Sequence, residues 1–321
     1  MSAQPTADTR RSTTPAPRSR FVAWLPDRVD RRVRIFAWLS FIAEVLIIAT
    51  GGAVRLTGSG LGCPTWPTCT PDSLVATQEM GIHGVIEFGN RTLTGLVGIL
   101  ALIVVVLVWR MRRERRDLFV LAAIVLGGVV AQALVGGVTV LTGLNPFIVG
   151  FHYVASVVLV CVSAAFLVRM NTAPGPRTRA VPTWYAITAH VTTFVLAVTI
   201  VFGVLTTGAG PHSGDAAAVR SGFNVEVLEH VHAWPGYALF VLTLVLAAFA
   251  WARRLPVRRW ITALLAIEVV QIAVGLYQAR NGLPEWAVGT HMVLASLTAA
   301  AMVVVILNLK VPASAASVAA H

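Results

Sequence analysis

A carboxylate and a guanidinium lie one helical turn apart at the start of a long apolar segment. Glu87 and Arg91 are four residues apart, and Asn90 shares their face of the predicted helix. A charged side chain at membrane depth costs about 3 kcal/mol or more unless it is paired or hydrated, so the group is a candidate functional site. The alternative interpretation is a purely structural ion pair at the helix end, at the level of the lipid headgroups.

The composition is that of a membrane protein. Of the 321 residues, 56% are hydrophobic and 12% are charged, whereas soluble proteins have roughly 25% charged residues. The net charge is +11. The basic residues lie in short clusters between apolar runs, which indicates membrane topology and argues against nucleic-acid binding.

Eight apolar stretches approach the length that is needed to cross a bilayer. They predict helices at 36–53, 83–109, 117–141, 148–168, 183–206, 226–252, 260–279 and 287–309. The predicted fold is therefore an all-α polytopic membrane protein with eight transmembrane helices.

The distribution of basic residues predicts the orientation of these helices. Of the 25 Lys and Arg, all but Arg55, Arg91, Arg220 and Arg280 lie on one side of the predicted topology. By the positive-inside rule, the N and C termini are cytoplasmic. The connections that then face outward are 54–82, 142–147, 207–225 and 280–286.

The sequence contains one internal repeat. Val135-Gly136 and His152 in the first copy match Val274-Gly275 and His291 in the second at a constant offset of 139. The runs 57–60 and 87–90 likewise match 207–210 and 229–232. Each copy has four helices, an even number, so the copies share one orientation and form two parallel-repeat four-helix bundles.

The predicted halves follow from the repeat. The N-terminal half spans 36–170 and the C-terminal half spans 183–310, with a cytoplasmic linker at 171–182 between them. The polar residues 1–35 predict a disordered tail, and 311–321 form a second cytoplasmic tail.

Three histidines recur near the outer ends of even-numbered helices. In the second half, His232 and His291 lie at one depth, where two neutral imidazoles can bind haem iron from both sides. In the first half, the equivalent pair is Asn90 and His152, so one ligand position there lacks a histidine. The alternative is that each histidine is a hydrogen-bonded packing residue.

The remaining histidines are weaker candidates. His230 is two residues from His232 and would point nearly the opposite way on a helix. His83 would approach the first site from the loop or cap the helix, and His190 is expected to be structural. His212 lies in a Gly-Pro-rich turn whose polar groups would reach a haem propionate.

Two cysteines share the first outward connection. Cys63 and Cys69 bracket Pro-Thr-Trp-Pro-Thr, which indicates a disulfide or a redox-active pair on an oxidising face. A zinc site would need more ligands than this loop supplies. Cys161 is expected to be a buried apolar residue.

Taken together, these residues resemble those of the bacterial haem A synthase family. The resemblance covers residues 51 to about 300. It rests on the run from Gly51 to Cys69, on Glu-Phe-Gly-Asn-Arg at 87–91, on Gly-Pro-His-Ser-Gly-Asp at 210–215, and on His152, His232 and His291. It implies an oxidoreductase of the bacterial plasma membrane that oxidises a methyl group of haem O to a formyl group, giving haem A for terminal oxidases.

The resemblance also implies roles for individual residues. His232 and His291 would hold a haem b cofactor through its iron, and His152 would bind the iron of the substrate, haem O. Glu87, Asn90 and Arg91 are the catalytic candidates: Glu87 would stabilise positive charge at the oxidised carbon or accept its proton. Arg91 would pair with Glu87 or with a propionate. Both haem sites would lie toward the extracytoplasmic side.

The chain departs from the family in two places. The family generally carries Glu-x-x-His-Arg, whereas this chain has Asn90 at the histidine position. Many bacterial members have a second cysteine pair in the third outer loop, and 207–225 contains no cysteine. Besides membrane lipid, the expected partners are haem O synthase, since haem is poorly soluble and is best handed over directly, and oxidase assembly proteins.

Two other functions are compatible with parts of the pattern. A dihaem electron-transfer protein would use the same histidines but would place haems at both membrane faces. A parallel-repeat transporter would use Glu87 and Arg91 as a substrate or proton site, and its histidines would bind no metal.

Overall fold

The computed structural model describes residues 24–313, and its eight long helices each have the length and apolar composition to cross a membrane. The helices are α1 (Arg31–Leu56), α2 (Gly81–Val108), α3 (Arg116–Leu141), α4 (Pro146–Met170), α5 (Thr183–Ala209), α6 (Val225–Ala252), α7 (Arg258–Arg280) and α8 (Glu285–Leu307). A short 3-10 helix (Gln78–Met80) precedes α2. The predicted eight-helix fold is confirmed.

Several helices begin at polar caps. The Asp30 side chain accepts a hydrogen bond from the backbone N–H of Val33 at the start of α1. Asn145 caps α4, which has Pro146 as its first residue, and Asn224 caps α6. These caps fix where α1, α4 and α6 begin.

The start of α1 differs from the prediction. Helix α1 begins at Arg31, so the predicted tail over 1–35 is too long at its end. The first turn of α1 is rich in arginine, so it does not belong to the apolar stretch from which the helix was predicted, although Asp30 caps it. Residues 1–23 and 314–321, which include the rest of the predicted tails, lie outside the described residues.

A small β-ladder was not predicted. Strand β1 (Arg177–Arg179), from the predicted linker, pairs antiparallel with β2 (Lys310–Pro312), which follows α8. Strands of three residues carry no alternating apolar pattern. The pairing arises because the fold brings these two ends together.

The helix packing repeats between the halves. Helices α1 and α3 each pack on α2 and α4, and α5 and α7 each pack on α6 and α8. Between the halves, α4 contacts α8, which is its repeat equivalent. In addition, α1 contacts α8, and the equivalent helices α5 and α4 contact each other in the same way. Such reciprocal contacts are those of a two-fold axis, here between α4 and α8.

A hydrogen bond marks the position of this axis. The Tyr153 hydroxyl donates to the backbone carbonyl of Met292 at 2.8 Å, and the two residues are 139 apart in the sequence. They are therefore repeat equivalents that meet each other, as residues beside a two-fold axis do. The predicted arrangement of two parallel four-helix repeats is confirmed.

The two ends of the bundle have different connections. We call the end with 57–80, 142–145, 210–224 and 281–284 the loop face, and the end with 109–115, 171–182 and 253–257 the basic face. All of the predicted site residues lie near the loop face.

Candidate functional site

The structure brings two predicted ligands together in the second half. His232 on α6 and His291 on α8 have ring centroids 6.2 Å apart and ring planes at 79°. Two imidazole nitrogens that bind one metal from opposite sides, each at about 2 Å, leave the ring centroids roughly 6 Å apart. The pair therefore has the spacing of two axial ligands.

A backbone carbonyl fixes the orientation of the His232 ring. His232 Nδ1 lies 2.9 Å from the carbonyl oxygen of Thr199 on α5, and a carbonyl only accepts, so Nδ1 carries the proton. This leaves Nε2 of His232 unprotonated and able to bind a metal. Gln271 on α7 donates to the backbone carbonyl of His291 at 3.2 Å.

A glycine on the neighbouring helix supports each histidine ring. A Cβ on Gly203 or Gly275 would lie 2.9 Å from Cε1 of His232 or His291, respectively. In the first half, a Cβ on Gly136 would lie 3.5 Å from Cε1 of His152, which is an ordinary contact. The second-half rings are thus held more tightly than the ring of His152.

The donor set fits a haem and does not fit a bare metal ion. Within residues 24–313, no three or more His, Cys, Asp or Glu side chains converge as metal ligands. Two axial imidazoles are sufficient where a macrocycle supplies the equatorial nitrogens. His232 and His291 would hold such a group between α6 and α8.

In the first half, the buried Glu87 forms an ion pair with the half-buried Arg91. Glu87 is 4% exposed, and its Oε1 accepts from Arg91 Nη2 at 2.6 Å. Its Oε2 accepts from the backbone N–H of Cys63, also at 2.6 Å. Arg91 also donates to the carbonyls of Cys63, Thr65 and Thr68. The pair therefore anchors the 63–69 loop on α2.

This loop covers the loop-face end of the first half. The indole ring of Trp66 lies against Gly137 of α3, so closely that a Cβ there would overlap it. Gly137 is adjacent to Gly136, which contacts the ring of His152. The 63–69 loop is thus positioned by Glu87 and Arg91 on one side and by α3 on the other.

The predicted disulfide is formed. Cys63 and Cys69 are bonded to each other and both are fully buried, whereas Cys161 is a free thiol. The bond closes the segment whose carbonyls bind Arg91.

We expect Cys63 and Cys69 to resist thiol labelling until a reductant is added, with Cys161 as the internal reference. Replacing both by serine should cost about 2 kcal/mol of stability, since the closed loop is short, and should weaken activity without abolishing folding. Gel-shift labelling before and after reduction measures the first effect. Ready labelling of both cysteines before reduction contradicts the prediction.

The other first-half candidates make separate contacts. Asn90 Oδ1 accepts from Thr50 Oγ1 of α1 at 2.8 Å. His83 is exposed, and its Nδ1 lies 2.9 Å from Ser59 Oγ, so it ties the start of α2 to the preceding loop. Among the described residues, no hydrogen bond joins His152 to Asn90.

The third outward connection is held by the first half. Arg55 on α1 donates to the carbonyls of His212 and Thr207, at 2.8 and 3.0 Å. The His212 ring, which we predicted to reach a propionate, lies 2.9 Å from the carbonyl oxygen of Leu283 through Nε2. His190 is exposed on α5, and His230, also exposed, bonds to the Glu226 carbonyl of its own helix.

Sequence reasoning missed some of these residues. Gln132 and Gln271 donate to the backbone carbonyls of His152 and His291, at 2.7 and 3.2 Å. Both glutamines follow the 139-residue offset, so a search for polar side chains at that offset would have found them. Arg55 gave no such signal, because its partners are backbone carbonyls distant in the sequence.

Comparison with known proteins gives a family match over most of the chain. Residues 34–303 match the COX15-CtaA family model, described as cytochrome oxidase assembly protein. A protein of Lysinibacillus sphaericus (strain C3-41) named "Heme A synthase" is 34% identical over 142 residues, which are 44% of this chain and 45% of that protein. Proteins of the same name from Bacillus cereus (strain AH187) and Bacillus anthracis (strain CDC 684) are 33% identical over 129 residues, 39% of this chain and 41% of theirs. The aligned part thus spans less than half of each relative.

Proposed function

This chain belongs to the COX15-CtaA family of cytochrome oxidase assembly proteins, and we propose that it is a haem A synthase that oxidises a methyl group of haem O to a formyl group. The observation that carries the proposal is the His232–His291 pair, whose ring centroids are 6.2 Å apart. The equivalent place in the other half has His152 and a non-histidine partner, Asn90. One half would hold a permanent cofactor and the other a substrate that enters and leaves.

The second half would hold haem b on His232 and His291. A haem with two histidine ligands supplies one-electron transfer. The protein fixes the His232 tautomer through the Thr199 carbonyl and supports both rings on glycines, Gly203 and Gly275. These contacts would hold the ligands in place when the charge of the group changes.

The first half would bind haem O through His152. Asn90 is a weak ligand, and its carbonyl oxygen already accepts from Thr50, so the substrate iron would have one strong protein ligand. Such a site suits a substrate that must be released after turnover. Glu87 would stabilise positive charge that develops as the methyl group is oxidised, or accept the proton that leaves it.

The loop face would lie outside the cytoplasm of a bacterium. All but four of the 25 Lys and Arg lie toward the basic face or in the terminal segments, which supports this orientation. The Cys63–Cys69 disulfide near the loop face is the redox state expected there. Delivery from haem O synthase and contact with oxidase assembly proteins are part of the same proposal.

Expression in a host that makes haem O but no haem A tests the proposed reaction. We expect the extracted haems to include haem A, identified by mass, when this chain is present. A folded protein that carries haem b and yields no haem A would contradict the proposal and favour an electron carrier. The dihaem alternative is otherwise disfavoured because His152, His232 and His291 all lie near the loop face.

The glycines beside the histidines give a matched pair of variants. Gly275→Ala should displace the His291 ring, because the new Cβ would lie 2.9 Å from Cε1, and should broaden or weaken the haem b spectrum. Gly136→Ala, at the repeat-equivalent position, meets His152 at an ordinary 3.5 Å and should leave that spectrum unchanged. Equal spectra in both variants would count against the geometry of the second site.

A further inference from the structure

One face of α7 carries a series of buried and half-buried polar side chains. Glu268, Gln271 and Gln278 are separated by three and seven residues, so they lie along one side of the helix. Gly275, which supports the His291 ring, is on the same side. We call Glu268, Gln271 and Gln278 the polar face of α7.

Each member of the polar face has an oxygen without a partner among residues 24–313. Glu268 is 3% exposed; its Oε1 accepts from Thr243 Oγ1 at 2.9 Å, and its Oε2 has no partner. Gln271 donates to the His291 carbonyl, but its Oε1 is unpaired, as is Oε1 of Gln278. These are three of the seven buried side-chain N and O atoms without a partner in the described part of the chain.

Unpaired polar atoms in such a row point to bound water. Leaving a buried polar group unsatisfied costs about 1–3 kcal/mol, and ordered water is the usual remedy. Gln271 lies one turn from Glu268, and Gln278 is two residues from the end of α7 at the loop face. A row of water and amide groups could thus extend from the loop face to a carboxyl group in the middle of the helix.

We propose that the polar face of α7 is a proton path, and that Glu268 takes up a proton when the haem held by His232 and His291 is reduced. The proposal rests on the proposed haem b site. When a one-electron donor supplies the electron to such a haem, the Glu268 carboxylate would gain one proton from water at the loop face and form a carboxylic acid. The proton leaves by the same route when the electron leaves.

Electrostatics gives this coupling its sign. Burial opposes the ionised form of a carboxyl group unless positive charge is near. The oxidised haem carries one more unit of positive charge than the reduced haem, so oxidation favours the carboxylate and reduction favours the acid. The contact from Gln271 to the His291 backbone brings the polar face against the ligand helix.

The helices packed on α7 leave few competing groups. The half-buried titratable groups on α6 and α8 are the proposed ligands, His232 and His291, which stay neutral when bound to iron. The other titratable side chains of these helices are exposed. Glu226, Glu229, His230 and Glu285 lie near the loop-face ends, and Tyr237 lies in the middle part of α6. On α7 itself, Tyr277 is exposed, and Arg258, Arg259 and Arg280 lie at the helix ends.

A redox titration of the purified, haem-loaded protein at several pH values tests the proposal. In the wild type, we expect the midpoint potential to fall as pH rises. If one proton accompanies one electron, each pH unit changes the redox equilibrium tenfold, which gives a limiting slope of about 59 mV per pH unit. Glu268→Gln should flatten this slope, whereas Glu268→Asp, which keeps a carboxyl group, should retain it. Glu44→Gln is the matched control.

The control removes a comparable carboxyl group from the other half. Glu44 is also 3% exposed, accepts from Ser163 Oγ at 2.8 Å, and has an unpaired Oε2. It lies on α1, away from the polar face, so Glu44→Gln should keep the wild-type slope. A flat slope in the wild type, or an unchanged slope in Glu268→Gln, would overturn the proposal.

A second measurement tests the proposal even if the Glu268→Gln variant does not fold. The redox-difference infrared spectrum of the wild type should gain a protonated-carboxyl band on reduction, and Glu268→Asp should shift it. Absence of the band would overturn the proposal while haem A production stayed intact. A wild-type protein that purifies without haem b would overturn both the coupling and the haem b site, and the haem extraction reports separately on the proposed reaction.

Discussion

Replacing His232 or His291 with alanine is expected to remove the low-spin b-type absorption spectrum from the purified protein. The two rings have the spacing of axial ligands, with centroids 6.2 Å apart, and either substitution leaves one imidazole where two are needed. Haem content and the reduced-minus-oxidised spectrum per mole of purified protein measure the effect. If both variants keep a full bis-histidine spectrum, the ligand assignment is wrong.

The same helices offer controls for this experiment. His230→Ala changes an exposed residue two positions from His232 whose ring bonds only to its own helix, so the spectrum should be retained. His152→Ala should also retain haem b and lose binding of haem O. Loss of the b-type spectrum in His230→Ala would mean that the helix is sensitive to any change, and the effect of His232→Ala would then carry no information about ligation.

The sequence was sufficient for the architecture because the bilayer imposes it. An apolar run of bilayer length has few alternatives to a helix, and seven of the eight predicted helices begin within two residues of the observed start. The 139-residue repeat predicted the two-fold arrangement, which the Tyr153–Met292 contact shows directly. The exception, α1, begins in a basic turn capped by Asp30 that hydropathy does not register.

The candidate site was predictable in part, because the bilayer also sets the depth of each helical residue. The histidines could be paired because helix number and depth follow from the sequence. What the sequence did not reveal is how loops bind to helices. Arg91 donates to three carbonyls of the 63–69 loop, and Arg55 donates to two in the second half. Backbone acceptors have no sequence signature, so these contacts required the fold.

These loop contacts change the interpretation of Glu87 and Arg91. The sequence offered two interpretations of Glu87 and Arg91, a catalytic pair or a simple ion pair. In the structure the pair is formed and it also anchors the disulfide-closed loop over the first half. Arg91 therefore has a positioning role through the loop, whatever Glu87 contributes to the reaction.

Glu87→Gln is expected to abolish most haem A formation while the protein still inserts, binds haem b and binds haem O. The substitution keeps the size of the side chain and removes its charge. If that charge stabilises a cationic stage of methyl oxidation, turnover should fall on the order of a hundredfold, and a hydroxylated product should accumulate. The loss would be confined to turnover, because the stabilisation is needed only in the transition state.

A purely structural role for Glu87 predicts a different result. The amide of glutamine would face donors from Arg91 and from the Cys63 backbone, both now 2.6 Å from the carboxylate, so the loop would loosen and the protein would be less stable. Each folded molecule would nevertheless make as much haem A as the wild type. The quantity to measure is therefore haem A formed per mole of bound haem b, with Glu44→Gln as a control for loss of a buried carboxyl group in the same half. A wild-type ratio in Glu87→Gln would exclude the catalytic role and leave Glu87 as the residue that holds the 63–69 loop in place.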